Sequence, residues 1–114
     1  MDVTGKTAIV LGGTSGIGLA TTNRLTELGA KVVAVSREPE KAKDSVAQGV
    51  ELRSCSILDR AGLTVLFQEW SKFDILVCAA TGGSRAAGPF LEMDLDAYQA
   101  SFAKLWGYTN AVRL

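Results

Sequence analysis

The stretch Thr7-Ala8-Ile9-Val10-Leu11-Gly12-Gly13-Thr14-Ser15-Gly16-Ile17-Gly18 decides the fold. Its first five residues form a short apolar run, the form taken by a strand buried on both faces of a parallel sheet. Gly12, Gly16 and Gly18 follow in a GxxxGxG pattern, and a helical pattern begins at Gly16. Each glycine has a separate task in such a junction. Gly12 lets the chain turn tightly off the strand. Gly16 removes a side chain where a phosphate must approach the backbone. Gly18 lets the helix pack close to the sheet. The helix start then presents unpaired N–H groups and a positive dipole end to a pyrophosphate. The same spacing also suits a tight turn that holds no ligand; the position between an apolar strand and a helix favours the phosphate-holding reading.

Outward from this junction, strands and helices alternate. The helix from Gly16 to Leu28 draws apolar contacts from Ile17, Ala20, Leu25 and Leu28, and Gly29 closes it. Lys31–Val35 reads as a second strand, rich in Val. Pro39 opens a short helix expected to reach about Ala47. Val50–Cys55 alternates in polarity, as a less buried third strand does. Asp59 suits an N-cap for a helix to about Ser71, whose Leu63, Leu66, Phe67 and Trp70 share one face. Asp74–Ala79 is the fourth strand, and a loop from Thr81 to Pro89 follows. The remainder is helical from about Asp94 or Asp96, broken in two, with a stripe of Leu95, Tyr98, Phe102, Leu105, Thr109 and Val112. This alternation implies an α/β fold: a Rossmann-like, doubly wound parallel sheet of four strands in the order 3-2-1-4.

Composition narrows the function. The chain has 114 residues, room for one domain spanning 1–114. Twelve basic residues balance twelve acidic ones, so no field draws in nucleic acid or an anionic membrane. Histidine is absent, which excludes a Ser-His-Asp triad and a His-ligated metal. Cys55 and Cys78 lack CxxC spacing and suggest neither a metal site nor a disulfide framework. No apolar run reaches the length of a membrane span, and the N-terminus lacks a signal-peptide layout. A reduced, cytoplasmic protein is expected, with no resident metal.

The run from Leu11, LGGTSGIG, resembles the TGxxxGIG motif of the short-chain dehydrogenase/reductase family, with Leu11 where the family has Thr. The resemblance extends along the whole chain and implies cofactor-binding positions. Gly12, Thr14, Ser15, Gly16, Ile17 and Gly18 would hold the pyrophosphate. The second strand ends Val35-Ser36-Arg37, so Ser36 takes the place of the acidic residue that binds an NAD ribose. Arg37, whose planar fork suits a phosphate, implies NADP(H) over NAD(H). Alternatively, Arg37 is a surface residue paired with Glu38 or Glu40, and Glu38, one step from the acidic position, keeps NAD open. Ser56-Ile57 stands where relatives have Asp and Val or Ile against the adenine. Ala79, Ala80 and Thr81 follow Cys78 where relatives read NNAG, so their backbone would line the ribose without the two Asn side chains. Lys104, three residues before Gly107, occupies the position of the family's Asn; it either substitutes for that Asn or is a surface lysine.

Catalysis in this family needs a Tyr and Lys in YxxxK, with a Ser on the preceding strand. Tyr98 is followed four residues on by Phe102, and Tyr108 by Val112. No catalytic residue is therefore assigned. The chain is expected to stop before the catalytic strand and helix, leaving the cofactor-binding half of a carbonyl/alcohol oxidoreductase. The apolar last helix would then pair with a second copy. Two other readings compete: a non-catalytic nucleotide-binding or regulatory Rossmann module, and a methyltransferase using S-adenosylmethionine, against which Ser36 counts.

Overall fold

In the computed structural model, which describes residues 2–80, 88–100 and 102–113, β1 (Thr7–Leu11) runs between β2 (Lys31–Ser36) and β4 (Ile75–Cys78), and β3 (Glu51–Ser54) lies outside β2. All pairings are parallel, so the order is β3-β2-β1-β4. The register levels the strand ends. Leu11 stands opposite Val35 and Cys78, and Ser36 opposite Ser54. The residues that leave each strand therefore emerge along one edge, on both sides of the point where the chain switches from β2 and β3 to β4.

Alternate side chains feed two cores. Ile9, Leu11, Val33 and Val35 face Leu63 and Leu66 of α2 (Arg60–Glu69) and Ala111 of α4 (Ala103–Arg113). Val10 and Val32 face the other way, where Leu25 of α1 (Gly16–Glu27) packs with Ala30 and Val3. Burial on both faces explains why β1 and β2 are almost uninterrupted apolar runs. The Asp59 carboxylate accepts from the Gly62 amide at 3.0 Å, the expected N-cap of α2. The final helical stretch is divided, with α3 at Leu95–Ala100 before α4. Cys55, just beyond β3, and Cys78, in β4, lie on opposite edge strands, and both thiols are free. No helix among the described residues is long and apolar enough to cross a membrane.

Two expectations are corrected. The α1 face is not set by Ile17, Ala20 and Leu28, which are exposed; Gly18 and Thr22 are the buried residues. The helix expected from Pro39 to about Ala47 is a single 3₁₀ turn, Pro39–Ala42. Asn23 of α1 holds the segment after this turn, because its amide donates to the Ser45 carbonyl (3.1 Å) and its oxygen accepts from the Ala47 amide (2.8 Å). The Ala47 amide is thus diverted from the Lys43 carbonyl that a continued helix would give it. On α4 the stripe is exposed at Leu105, Thr109 and Val112, as expected of a helix face left for a partner, while Gly107, Asn110 and Ala111 face the core. The reason is close packing: a Cβ at Gly107 would run into the Ile57 side chain.

Candidate functional site

The site grows from the junction of β1 and α1. Gly12 has φ +79°, and its amide donates to the Val35 carbonyl at 2.7 Å. A Cβ at Gly12 would stand 2.5 Å from the Ala80 Cα and N, so only glycine lets the ends of β1 and β4 meet. A Cβ at Gly18 would fall on the Gly12 carbonyl oxygen, which brings the start of α1 hard against the turn. Thr22, fully buried, donates its hydroxyl to the Gly13 carbonyl at 3.0 Å and ties the loop back to α1.

Gly16 differs from its neighbours. Its φ is +54°, yet a Cβ there would meet nothing within 4 Å. The loop therefore faces open space at the first residue of α1. Ser15 caps this helix with an extended backbone, and its side chain makes no capping hydrogen bond. The first turn of α1 contains no acidic residue. Its leading amides and dipole are thus available to an anion.

Three hollows that share Ser15 line the strand ends. The first, about 630 Å³, lies between Thr14 and the segment after β2, with Ser36, Arg37, Glu38, Lys41 and Ser45 on its walls. The second, about 140 Å³, runs under Ser36 and Arg37 to Ser56, Ile57 and Ala80. The third, about 400 Å³, extends past Gly12, Gly16 and Ile17 to Ala79, Ala80 and Tyr108. The predicted residues Gly12, Thr14, Ser15, Gly16, Ile17, Ser36, Arg37, Ser56, Ile57, Ala79 and Ala80 are thereby brought to one groove, with Gly18 beneath it. Thr81 lies outside the described residues.

At the first hollow the Ser36 hydroxyl is buried and has no hydrogen-bond partner among the described residues. The Ser54 hydroxyl donates to the Arg37 carbonyl at 2.9 Å and fixes the exit from β2. Glu38 is ion-paired with Lys41, not with Arg37. The bond to Lys41 and its charge hold the Glu38 carboxyl below its ordinary pKa, with a smaller effect from Arg37. Among the described residues no carboxylate lies within ion-pair distance of the Arg37 guanidinium. The alternative of an Arg37 ion pair with Glu38 or Glu40 is not what the structure shows.

The other hollows are built more by backbone. The Ser56 hydroxyl accepts from the Leu58 amide at 3.2 Å, so its first task is to make a turn. Ile57 is a core residue whose carbonyl accepts from the buried Asn110 side chain at 3.3 Å. The Ala79 amide donates to the Leu11 carbonyl (2.8 Å), and the Tyr108 hydroxyl donates to the Ala80 carbonyl (3.0 Å). Burial, and secondarily Cys78, push the Tyr108 pKa up; burial also raises that of Cys78. Cys55 is raised by burial and then by Asp59. Lys41, Ser45, Asn110 and Tyr108 were not read as site or positioning residues from the sequence. Their only local sign was spacing: Lys41 stands three residues after Glu38, one 3₁₀ turn away.

The groove combines the start of α1, a hollow beside β2 that holds Arg37, Lys41 and Glu38, and an apolar-rimmed hollow beside β4. The comparisons with known proteins agree with this architecture. The 3-oxoacyl-[acyl-carrier-protein] reductase FabG of Rickettsia prowazekii is 34% identical over 83 residues, which are 70% of this chain and 34% of the relative. A solved short chain dehydrogenase/reductase family protein superposes with a TM-score of 0.82 at 29% identity, covering 99% of this chain and 49% of that one. The fold is also that of a 3-ketoacyl-(acyl-carrier-protein) reductase from Brucella melitensis, solved in complex with NADH (TM-score 0.80, 24% identity, 97% and 49% covered). This chain spans about a third of the length of the curated relatives it matches. A family profile described as short chain dehydrogenase matches residues 6–113, and the chain belongs to that family of oxidoreductases.

Proposed function

We propose that residues 1–114 are the N-terminal, dinucleotide-holding part of an NADP(H)-dependent short-chain oxidoreductase that transfers hydride between the nicotinamide and a small carbonyl or alcohol. The observation that carries the cofactor preference is the end of β2, where among the described residues Arg37 has no carboxylate partner and the neighbouring Ser36 hydroxyl no hydrogen-bond partner. A 2′-phosphate offers both groups what they lack: acceptor oxygens and negative charge. Gly12, Thr14, Ser15, Gly16, Ile17 and Gly18 would hold the pyrophosphate at the start of α1. Ser56 and Ile57 would border the adenine, and Ala79, Ala80 and Thr81 the second ribose. When bound, the nicotinamide ring supplies or accepts the hydride. The chain itself supplies binding, orientation and exclusion of water from the groove.

No YxxxK occurs in the 114 residues, so a chain segment beyond them would supply the acid–base group. The same absence favours a second reading, a nucleotide-binding module without catalysis. A coding frame that continues past Leu114 into YxxxK supports the enzyme; a natural stop codon there supports the module. Self-association through α4 belongs to the first reading, supported by Leu105, Trp106 and Val112, all more than half exposed.

Titration of the chain with NADPH and NADH tests the cofactor reading. Arg37→Ala should weaken NADPH by about 1.5 kcal/mol, the low end for an exposed charge-assisted contact, and NADH far less. Equal losses for both dinucleotides would remove the NADP(H) assignment.

A further inference from the structure

The hollow beside β2 contains a second cation besides Arg37. Lys41 reaches it from the 3₁₀ turn Pro39–Ala42, and Thr14 and Ser15 face it across the opening. Two features hold this wall in place. Pro39 is buried at the first position of the turn. Asn23 clamps the chain at Ser45 and Ala47 through both ends of its amide.

Lys41 is occupied in this state by Glu38, one turn back. The pair is loosely committed, because its side chains are 76% and 65% exposed. Exposed pairs of this kind contribute little and exchange readily. A phosphate monoester carries about −1.5 to −2 charges near neutral pH, against one on a carboxylate. A phosphate entering between Arg37 and Lys41 therefore outcompetes Glu38 for the ammonium. A ribose that carries only a hydroxyl leaves the Lys41–Glu38 pair intact.

We propose that Lys41 is a cofactor-discriminating residue: its ammonium turns from Glu38 to bind the 2′-phosphate beside Arg37, and its positive charge, still next to the Glu38 carboxylate, offsets the repulsion which that carboxylate exerts on the phosphate. The inference rests on the NADP(H) reading above and adds a residue and an exchange of partners to it. Discrimination is then the work of three residues. Arg37 attracts, Lys41 attracts and neutralises, and Glu38 repels whenever Lys41 is removed.

The test uses the chain with 2′,5′-ADP and 5′-AMP, which differ only by the 2′-phosphate. Lys41→Ala should weaken 2′,5′-ADP about tenfold and leave 5′-AMP within about twofold, as expected for one charge-assisted contact at an exposed position. Lys41→Arg should retain most of the wild-type preference. Lys41→Ala combined with Glu38→Gln should recover part of the loss, because the unmasked carboxylate is gone. A Lys41→Ala variant with an unchanged ratio of the two affinities, or with both ligands weakened equally, overturns the role of Lys41 and leaves the NADP(H) reading standing. A wild-type chain with no preference for 2′,5′-ADP overturns both.

Discussion

Gly12 and Gly16 belong to one motif, but alanine should damage the chain differently at each. Both have positive φ, +79° and +54°, so alanine costs about 1–2 kcal/mol of backbone strain at either. At Gly16 nothing further is added, since a Cβ meets no atom within 4 Å. At Gly12 the Cβ stands 2.5 Å from the Ala80 Cα and N and 2.7 Å from the Ala79 carbonyl carbon. These are backbone atoms of the chain just past β4, which cannot rotate away as a side chain would, and overpacking of this kind adds about 1–3 kcal/mol. Gly12→Ala should therefore lose about 2–5 kcal/mol of stability and Gly16→Ala about 1 kcal/mol, part of its strain being offset by a stiffer unfolded chain.

Ligand binding should separate the two in the other direction. A methyl group at Gly16 occupies the open side of the first turn of α1 and holds a phosphate away from its amides. Each charge-assisted bond lost is worth about 1.5–3 kcal/mol, so NADPH should weaken at least about tenfold in a chain that still folds. Urea unfolding followed by tryptophan fluorescence, with NADPH titration of each folded variant, reads both quantities. Gly16→Ala binding within about twofold of wild type would refute the idea that the open space serves a phosphate. Equal stability of the two variants would refute the packing argument for Gly12.

Thr22→Val keeps the shape of a fully buried side chain but removes the hydroxyl that binds the Gly13 carbonyl; about 1–2 kcal/mol should be lost in urea unfolding. Asn110→Ala strips the Ile57 carbonyl of its side-chain donor and loosens α4, with a cost of about 1–3 kcal/mol by the same measurement. Burial raises the thiol pKa values of Cys55 and Cys78, so above about pH 8.5 the unfolded chain releases protons that the folded chain retains. Stability should therefore fall as pH rises through that range, and the double replacement Cys55→Ser with Cys78→Ser should flatten the decline in unfolding measured from pH 7 to 10. Cys78 lines the hollow next to Tyr108, so bound NADPH should slow its alkylation at pH 8.5; an unchanged rate would place the ligand elsewhere.

The strands of the sheet, the glycine turn after β1 and the Asp59 cap were legible because each is written locally. The last four residues of β1, Ala8 to Leu11, are fully buried, and an unbroken apolar run has few other uses in a chain that alternates strand and helix. Asp59 capped α2 for the reason its side chain suggested. What escaped depended on segments meeting from a distance. Nothing near Pro39 reveals that the helix stops after one turn or that Asn23, on the preceding helix, holds Ser45 and Ala47 beyond it. Nothing near Tyr108 reveals that its hydroxyl reaches Ala80.

The error on α1 has a more general cause. Hydropathy assigned its inner face to Ile17, but Ile17 is 83% exposed and the polar Thr22 is fully buried. At a strand-to-helix junction the helix is rotated by backbone proximity before side chains are considered. Gly18 must face the Gly12 carbonyl, because no larger residue fits there. One turn later that choice places Thr22 inward, where its hydroxyl finds the Gly13 carbonyl. Each residue advances the helix by about 100°, so Ile17 is carried to the mouth of the groove. An exposed isoleucine beside Gly16 and a buried threonine beneath Gly13 are therefore one consequence of the Gly12–Gly18 contact. A junction read first from its glycines and only then from its hydropathy would have placed both residues correctly.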